Sequence, residues 1–248
     1  MQPIILYDIP SKLPGNHWSP NPAKTRFALS FKGLPFETEW VEYPDIADFV
    51  KSIGGPPTDK KPDGSDIYTL PVIKDPNTGT VVSDSFLIAE YLETSYPSKA
   101  LFPPNTKGLI GSLEPAFNGV LHAATRSPPS ILVATEKHLN PISVEYFART
   151  KPAAYGKDWE GLKETWNEDW AQMKAGLNTV SGWYEKTGGK WLMGDIFSYA
   201  DMIVAARILW LKQVLDEADW NELSSWNNGK WTELLADVER ECSVVHPA

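Results

Sequence analysis

The feature that most constrains the fold is a change in the character of the chain near residue 100. Before that point, short apolar runs typical of strands alternate with patterns of helical spacing, and after it only helical patterns remain. Residues 202–211 are apolar almost all round, which indicates a helix buried at the centre of a bundle. We therefore predict a small α/β layer followed by an all-α helical bundle.

The first half of the chain is predicted to run strand, helix, strand, loop, hairpin and helix. Pro20 and Pro22 open the first helix, which Gly33 ends, and Ser83-Asp84-Ser85 opens the last one. The polar stretch 53–67 is expected to be a loop or an irregular insertion. The remaining predicted segments are strands at 4–7 and 36–43 and a hairpin formed by 70–73 and 80–82.

The domain boundaries follow from these patterns. Residues 1–96 form the predicted α/β domain, and the proline-rich stretch 97–106 without apolar periodicity is a linker. Residues 107–248 form the helical domain, and within it 158–186 is predicted to be one long helix.

Composition excludes several classes of function. The formal net charge of −9 argues against nucleic acid or an anionic membrane surface as the main partner. The one cysteine, Cys242, cannot form an internal disulfide, and the four scattered histidines lack zinc-ligand spacing, so no metal is expected. Since no run approaches eighteen apolar residues and the first residues lack a basic region, we expect a cytoplasmic protein.

Three motifs in a fixed order point to a family. Each is weak alone, but together they resemble a cytosolic glutathione transferase over essentially the whole chain. They are Ser19-Pro20-Asn21-Pro22 before a helix that closes with Lys32-Gly33-Leu34-Pro35, Leu70-Pro71-Val72-Ile73 followed by Ser83-Asp84-Ser85, and Gly194-Asp195-Ile196-Phe197-Ser198-Tyr199-Ala200-Asp201. The first half then resembles the thioredoxin-like domain that binds glutathione in this family.

The resemblance implies that Ser19 activates the thiol of glutathione. A free thiol has a pKa of roughly 8.5, so a hydroxyl that donates a hydrogen bond to the sulfur, beside a helix N-terminus, favours the thiolate. On local sequence alone, Ser19 is predicted to be a helix cap before Pro20.

Some classes use a tyrosine near the end of the first strand, but Tyr7 is followed by a long loop and is interpreted as a packing residue. Because no cysteine stands at position 19, thiol-transfer chemistry is disfavoured.

The same resemblance implies the glutathione-binding residues. Pro71 matches the cis-proline of the family, and Val72 would pair through its backbone with the cysteinyl part of glutathione. Asp84 and Ser85 match the pair that holds the γ-glutamyl end, although one of them could equally be a helix cap. For the glycine carboxylate, spacing does not choose between Lys60 and the candidate that we take, Lys61.

Ser198 and Asp201 match a capping box of the family, whose role is folding rather than chemistry. Trp18, beside Ser19, and Asn21 are candidates for the pocket that receives the second, hydrophobic substrate. Nine of the eleven tryptophans lie from Trp159 onward, and Trp166 and Trp170 share one helix face. Such a stripe either fills the core or stacks on a planar ligand.

The predicted function is therefore a serine-type glutathione transferase with no metal, acting on a hydrophobic, aromatic electrophile. The motifs look most like those of fungal and bacterial enzymes related to the β-etherases. This resemblance implies that the glutathione thiolate cleaves aryl ethers or reduces hydroperoxides. The alternative is a non-catalytic ligandin that carries aromatic or phenolic compounds. Family members are usually dimers, so the resemblance also implies a homodimer.

Overall fold

The computed structural model describes residues 1–121 and 128–243. These residues divide into two compact units, one of Met1–Leu101 with the described residues from Glu239, and one of Phe102–Val238. No helix or strand lies in 96–106. The unit boundary at Leu101 falls inside the predicted linker 97–106, whereas nothing in the sequence indicates that the chain from Glu239 belongs to the first unit. Two parts of the predicted helical domain 107–248, residues 122–127 and 244–248, lie outside the described residues.

The first unit is built on a four-stranded mixed sheet of β1 (Ile4–Asp8), β2 (Phe36–Trp40), β5 (Val72–Asp75) and β6 (Thr80–Ser83). The order of the strands in the sheet is β2-β1-β5-β6. β1 and β2 are parallel, and β5 runs antiparallel to both β1 and β6. Alternate side chains of β1, such as those of Ile4 and Leu6, are fully buried, as expected for a central strand.

Helices α1 (Pro20–Phe31) and α3 (Ser85–Ser95) pack on each other, and α3 also packs on β5 and β6. Gly33 follows α1 with a φ of +67°, which suits glycine and confirms the predicted end of that helix. Together with the sheet, the two helices form the predicted α/β layer.

Two details of the first unit differ from the prediction. β2 ends at Trp40, and a short helix α2 (Ile46–Ser52) follows it, with Ile46 and Val50 buried one turn apart. The stretch predicted to be irregular contains a small antiparallel ribbon of β3 (Asp59–Lys60) and β4 (Asp66–Ile67). The ribbon is almost wholly exposed, so no apolar alternation marks it in the sequence.

A buried lysine ties the end of α1 to the chain that follows α3. Lys32 Nζ donates to the carbonyl oxygens of Tyr96, Ser98 and Lys99 at 2.8, 3.2 and 3.1 Å, and its side chain has no exposed surface. The same nitrogen lies 3.0 Å from Glu93 Oε2. These four oxygens stabilise a charge that burial would otherwise make costly.

The described part of the second unit is helical, with only isolated β-bridges near Trp191. Every residue from Tyr199 to Leu211 in the helix that begins at Tyr199 is buried, which confirms the central helix predicted from its apolar pattern. The helices are α4 (Lys107–Leu121), α5 (Pro129–Ala134), α6 (Pro141–Tyr155), α7 (Trp159–Lys163), α8 (Trp166–Thr187), α9 (Tyr199–Val214), α10 (Glu217–Ser225) and α11 (Lys230–Glu241). None of the described helices is both long and apolar enough to span a membrane.

α4 and α8 approach each other closely at a glycine. A Cβ placed on Gly176 of α8 would lie 2.3 Å from the carbonyl oxygen of Val120 and 3.0 Å from Leu121 Cα. Real Cβ atoms do not come this near to backbone, so only glycine permits this packing distance.

The single helix predicted for 158–186 is wrong, because the chain turns between α7 and α8. Thr165 donates its hydroxyl to the carbonyl of Leu162 at 2.8 Å and to Asp169 at 2.9 Å. Such local side-chain bonds compete with helical ones. Asp169 Oδ2 also accepts the N–H and hydroxyl of Ser130 at the start of α5.

The start of α9 carries the capping box of the sequence motif. The hydroxyl of Ser198 accepts the N–H of Ala200 at 3.3 Å, and Asp201 Oδ2 accepts the N–H of Ser198 at 3.1 Å. Asp201 Oδ1 also accepts the N–H of Leu192 at 2.9 Å, so one buried carboxyl group joins the helix to the preceding loop.

Candidate functional site

One edge of the four-stranded sheet collects most of the predicted site residues. Tyr7 near the end of β1 pairs with Val72 at the start of β5, and Val72 pairs with Ser83 at the end of β6. Since α1 connects two parallel strands, its N-terminus lies at the edge where β1 ends. The topology therefore brings Ser19, Pro71 and Asp84 to the same edge.

Ser19 is the N-cap residue of α1, with extended backbone at φ −72° and ψ 134°. Its carbonyl oxygen accepts the N–H of Ala23 at 3.2 Å, as the first bond of the helix. Its hydroxyl makes no capping bond, although the residue is only 8% exposed. The hydroxyl therefore does not serve the capping role that local sequence suggested.

The two neighbours of Ser19 that were predicted to line the substrate pocket differ in exposure. Asn21 is exposed, whereas Trp18 is buried with its ring centroid 6.3 Å from that of Tyr43. The indole N–H of Trp18 is buried and has no acceptor among the described residues. Trp18 thus packs within the first unit, with one polar atom that has no partner among the described residues, and its place in a substrate pocket stays a prediction.

Tyr7 is held by packing. Its ring meets that of Phe49 edge-on at 4.8 Å, and the residue is 3% exposed. Burial, with a further contribution from Glu39, raises the pKa of the Tyr7 phenol, so it remains protonated at neutral pH. This agrees with the interpretation of Tyr7 as a packing residue.

The carboxyl group of Asp8 anchors the end of β1, a role that the sequence did not suggest. Asp8 Oδ2 accepts from Nε and a terminal nitrogen of Arg26 at 3.1 and 2.9 Å, and Oδ1 accepts the N–H of Ile9 at 2.7 Å. Arg26 also lies over the ring of Trp40, with its Cζ 5.4 Å from the ring centroid. These contacts fix α1 relative to β1 and β2, and hence the place where Ser19 stands.

The Leu70–Pro71 peptide bond is cis, as predicted for Pro71. The register argues against the backbone role predicted for Val72. The Pro71 carbonyl accepts the N–H of Asp84 at 3.3 Å, on the β6 side, so the N–H and C=O of Val72 point the other way, toward Tyr7. In contrast, the peptide groups of the buried Leu70 make no backbone hydrogen bond with the described residues.

Asp84 caps α3 and does so with one carboxylate oxygen. Its Oδ1 accepts the N–H groups of Phe86 and Leu87 at 2.8 and 3.1 Å, while its Oδ2 has no hydrogen bond within the described chain. Its backbone has a φ of +78° and a ψ of 131°, a conformation that costs a residue with a Cβ about 1–3 kcal/mol. Strain of this kind is often kept at functional sites. Ser85, the first residue of the helix, is buried.

The ribbon distinguishes the two candidate lysines. Lys60 Nζ donates to Asp66 at 2.8 Å, and this bond raises the pKa of Lys60. Within the described residues, Lys61 Nζ has no carboxylate within ion-pair distance. Lys61 is therefore the better candidate for an external carboxylate.

The tryptophans of the second unit divide between core and surface. Trp210 and Trp231 are buried, whereas Trp166 and Trp170 are half-buried. The rings of the latter two are nearly parallel, with centroids 5.7 Å apart, which confirms their shared helix face. Trp226 meets Trp170 edge-on at 4.9 Å. The described residues contain no group of three or more side chains that could hold a metal ion.

Comparison with known proteins matches both halves of the chain to one family. Residues 18–95 match the family model of the glutathione S-transferase N-terminal domain, and residues 112–240 match that of the C-terminal domain. The glutathione S-transferase-like protein ustS of Aspergillus flavus is 30% identical, over 94% of this chain and 88% of its own length.

Two solved structures are similar over their whole length. The glutathione S-transferase CsGST63524 of Ceriporiopsis subvermispora, crystallised in complex with glutathione, has a TM-score of 0.91 and 41% identity, covering 100% of both chains. The glutathione transferase GSTFuA3 of Phanerochaete chrysosporium has a TM-score of 0.89 and 40% identity, covering 99% of both.

Proposed function

Since this chain belongs to the glutathione S-transferase family, we propose that it activates the thiol of glutathione with the hydroxyl of Ser19. The thiolate then attacks a hydrophobic, aromatic electrophile. The observation that carries the proposal is the Ser19 hydroxyl itself, which stands at the start of α1 without a capping bond. A hydroxyl in this state is able to donate to a sulfur atom.

The serine acts as a hydrogen-bond donor and not as a nucleophile. A donor to the sulfur favours the thiolate, lowers the pKa of the thiol and so increases the fraction that reacts at neutral pH. The thiol of the chain itself is unsuited to this chemistry, because burial raises the pKa of Cys242. The reacting sulfur therefore comes from glutathione.

Four groups at the sheet edge and the ribbon are proposed to hold glutathione. The free Oδ2 of Asp84 suits the ammonium of the γ-glutamyl end, and Ser85 with the start of α3 suits its carboxylate. The unpaired peptide groups of Leu70, rather than those of Val72, suit the cysteinyl backbone. Lys61 suits the glycine carboxylate, because Lys60 is engaged by Asp66.

Replacement of Ser19 tests the proposal. In Ser19→Ala, we expect the pKa of bound glutathione to rise by about one to two units, and turnover near neutral pH to fall by about 10- to 100-fold. The thiolate is titrated by its ultraviolet absorbance in the binary complex, and conjugation is assayed with aryl electrophiles and aryl ethers. Ser30→Ala, on the same helix but far from its start, is the matched control. An unchanged thiol pKa in Ser19→Ala would rule out the proposed role.

Replacement of Asp84 separates helix capping from glutathione binding. Asparagine caps helices as well as aspartate does, so Asp84→Asn should change the free energy of unfolding by less than about 0.5 kcal/mol. Asp84→Gly should stabilise the fold by about 1 kcal/mol, because glycine relieves the strain at φ +78°.

Both Asp84 variants should nevertheless bind glutathione at least about tenfold more weakly, since each removes a charge-assisted bond to the ammonium. Calorimetric titration with glutathione and chemical unfolding provide the two measurements. Full affinity in Asp84→Gly would show that Asp84 is a cap and nothing more.

A second candidate function is ligand carriage without turnover. The half-buried, nearly parallel rings of Trp166 and Trp170 favour it, because such rings stack on planar phenolic compounds. Tight binding of aromatic compounds together with no turnover across the panel would favour the carrier. With an organic hydroperoxide added to this panel, etherase-like cleavage and hydroperoxide reduction are distinguished by their products.

We also propose that the protein acts in the cytoplasm as a homodimer. The single, buried cysteine fits a reducing compartment, and the dimer is supported by the family resemblance. Sedimentation of the full chain gives its oligomeric state directly.

A further inference from the structure

The loop between β1 and α1, residues 9–18, is longer than a connection from a strand to a helix needs, and it is ordered by its own hydrogen bonds. Such connections commonly have about 2–6 residues. The hydroxyl of Ser11 donates to the carbonyl oxygen of Asn16 at 2.8 Å and accepts the N–H of Leu13 at 3.2 Å. Ser11 is only 4% exposed, so these two bonds, which we call the Ser11 clamp, lie inside the loop.

A tight turn forms the tip of the loop. The N–H of Asn16 donates to the carbonyl oxygen of Leu13 at 2.9 Å. Pro14 and Gly15 occupy the two positions between them, and Gly15 has a φ of +76°. Proline in the second position and glycine with a positive φ in the third are typical of a type II turn. The turn is therefore set by its own sequence, and the Ser11 clamp ties it to the chain that leaves β1.

The tip of the loop exposes apolar surface. Leu13 is half-buried and Pro14 is exposed, whereas the first two residues of the loop are buried. The loop leaves the sheet where β1 ends and returns at Ser19, so it begins and ends at the edge that carries the candidate site. An ordered loop in this place, with apolar residues at its tip, is suited to contact a hydrophobic substrate.

We propose that Ser11 is a positioning residue that determines which electrophiles this protein accepts. Through the Ser11 clamp it holds Leu13 and Pro14 in one arrangement, in which they form a wall for the aromatic group that the glutathione thiolate attacks. Ser11 is buried and acts through the loop, without touching the substrate. This inference rests on the proposed function, because it takes glutathione and an aromatic electrophile as the reactants.

A preformed wall changes affinity without adding a contact. If the loop were free, binding of the aromatic group would have to order its backbone and side chains, and the lost conformational entropy would weaken binding. The clamp and the turn order the loop before the substrate arrives. A fixed wall also excludes aromatic groups that are too large for it, whereas a free loop moves aside. The clamp should therefore affect both affinity and selectivity for size.

The affinity for glutathione conjugates tests this inference without requiring turnover. Ser11→Ala removes both bonds of the clamp with little change in volume. We expect this variant to bind S-benzylglutathione about 3- to 10-fold more weakly, while the affinity for glutathione, which has no aromatic group, changes less than about twofold. The larger S-naphthylmethylglutathione should lose less affinity than S-benzylglutathione, because the released loop moves aside for it. Calorimetric titration of the full chain measures all three.

Three further variants separate the clamp from other effects. Lys12→Ala, at an exposed neighbour in the same loop, is the matched control and should bind all three compounds as the wild type does. Ser11→Thr keeps the hydroxyl and should retain most of the affinity for S-benzylglutathione. Gly15→Val leaves Ser11 intact but disrupts the turn, because a β-branched residue is strongly disfavoured at φ +76°. It should reproduce the pattern of Ser11→Ala.

Wild-type affinity for both conjugates in Ser11→Ala and Gly15→Val would overturn the inference. So would a loss that is the same for glutathione and its conjugates, or the same for the two conjugates, because neither pattern reflects a wall that selects by size. The proposed function fails in a different measurement, in which Ser19→Ala leaves the thiol pKa of bound glutathione unchanged. The affinity for the conjugates does not depend on that pKa, so the two failures are distinguishable.

Discussion

Gly176→Ala should lower the free energy of unfolding by about 3 kcal/mol or more, and the melting temperature by roughly 10 °C. The added methyl group would lie 2.3 Å from the carbonyl oxygen of Val120, so α4 and α8 must separate along their contact. A rigid backbone atom cannot rotate aside as a side chain does. Thermal and chemical unfolding of the full chain measure the effect.

Gly182, six residues further along α8, is the control. No atom lies within 4 Å of a Cβ placed there. Gly182→Ala should therefore stabilise the protein by about 0.5–1 kcal/mol, through the helix propensity of alanine and the smaller entropy of the unfolded chain. Two identical substitutions in one helix are thus expected to have opposite signs. Equal effects at the two positions would contradict the close approach of α4 and α8.

Lys32→Met should lower the free energy of unfolding by about 3–5 kcal/mol. Methionine has a similar length and fits the same channel, but it leaves three carbonyl oxygens and Glu93 Oε2 without the ammonium that they surround. Lys32→Arg should not restore full stability, because a planar guanidinium cannot direct one compact charge at these oxygens. Chemical unfolding at constant ionic strength provides the measurement.

Lys74→Met is the matched control for Lys32. Lys74 lies on β5 with its side chain exposed, so its loss should change stability by less than about 0.5 kcal/mol. A loss below about 1 kcal/mol in Lys32→Met would show that water replaces the ammonium at this position.

The sequence alone was enough to predict those helices and strands whose pattern is contained in neighbouring residues. The apolar run of β1, the proline-led start of α1, the turn between β5 and β6 and the apolar circumference of α9 all depend on neighbours in the chain. α2 was not predicted, although it carries a local signal of the same kind: Pro44 precedes the helix, and Ile46 and Val50 are one turn apart.

Contacts between distant residues could not be predicted in this way. The turn that divides α7 from α8 depends on Asp169, which is shared between Thr165 and Ser130. The need for glycine at position 176 comes from a helix more than fifty residues earlier in the chain. Periodicity describes one face of one element and says nothing of which backbone that face will meet.

The candidate site, too, combines residues that a local motif indicates with contacts that depend on distant parts of the chain. A motif match brings Ser19, Pro71 and Asp84 forward as candidates, and their roles toward glutathione stay predictions. The role of Val72 stays a prediction as well, but the direction of its peptide group depends on the register with two other strands, which the motif does not contain. The choice of Lys61 over Lys60 likewise needed the partner Asp66, which the ribbon supplies.

The contacts of Lys32 with Glu93 and with the chain after α3 have a practical consequence for dividing the molecule into fragments. A fragment ended at residue 96, where the sequence marks the end of the α/β domain, would retain Lys32 and Glu93 but remove the carbonyls of Ser98 and Lys99. It would also lack the N–H of Leu101, which Glu93 Oε2 accepts at 2.9 Å. Any shortened version or fusion of the α/β half should therefore extend at least to Leu101. The segment that follows α3 therefore belongs to the hydrogen-bonded structure of the first unit and is more than a linker.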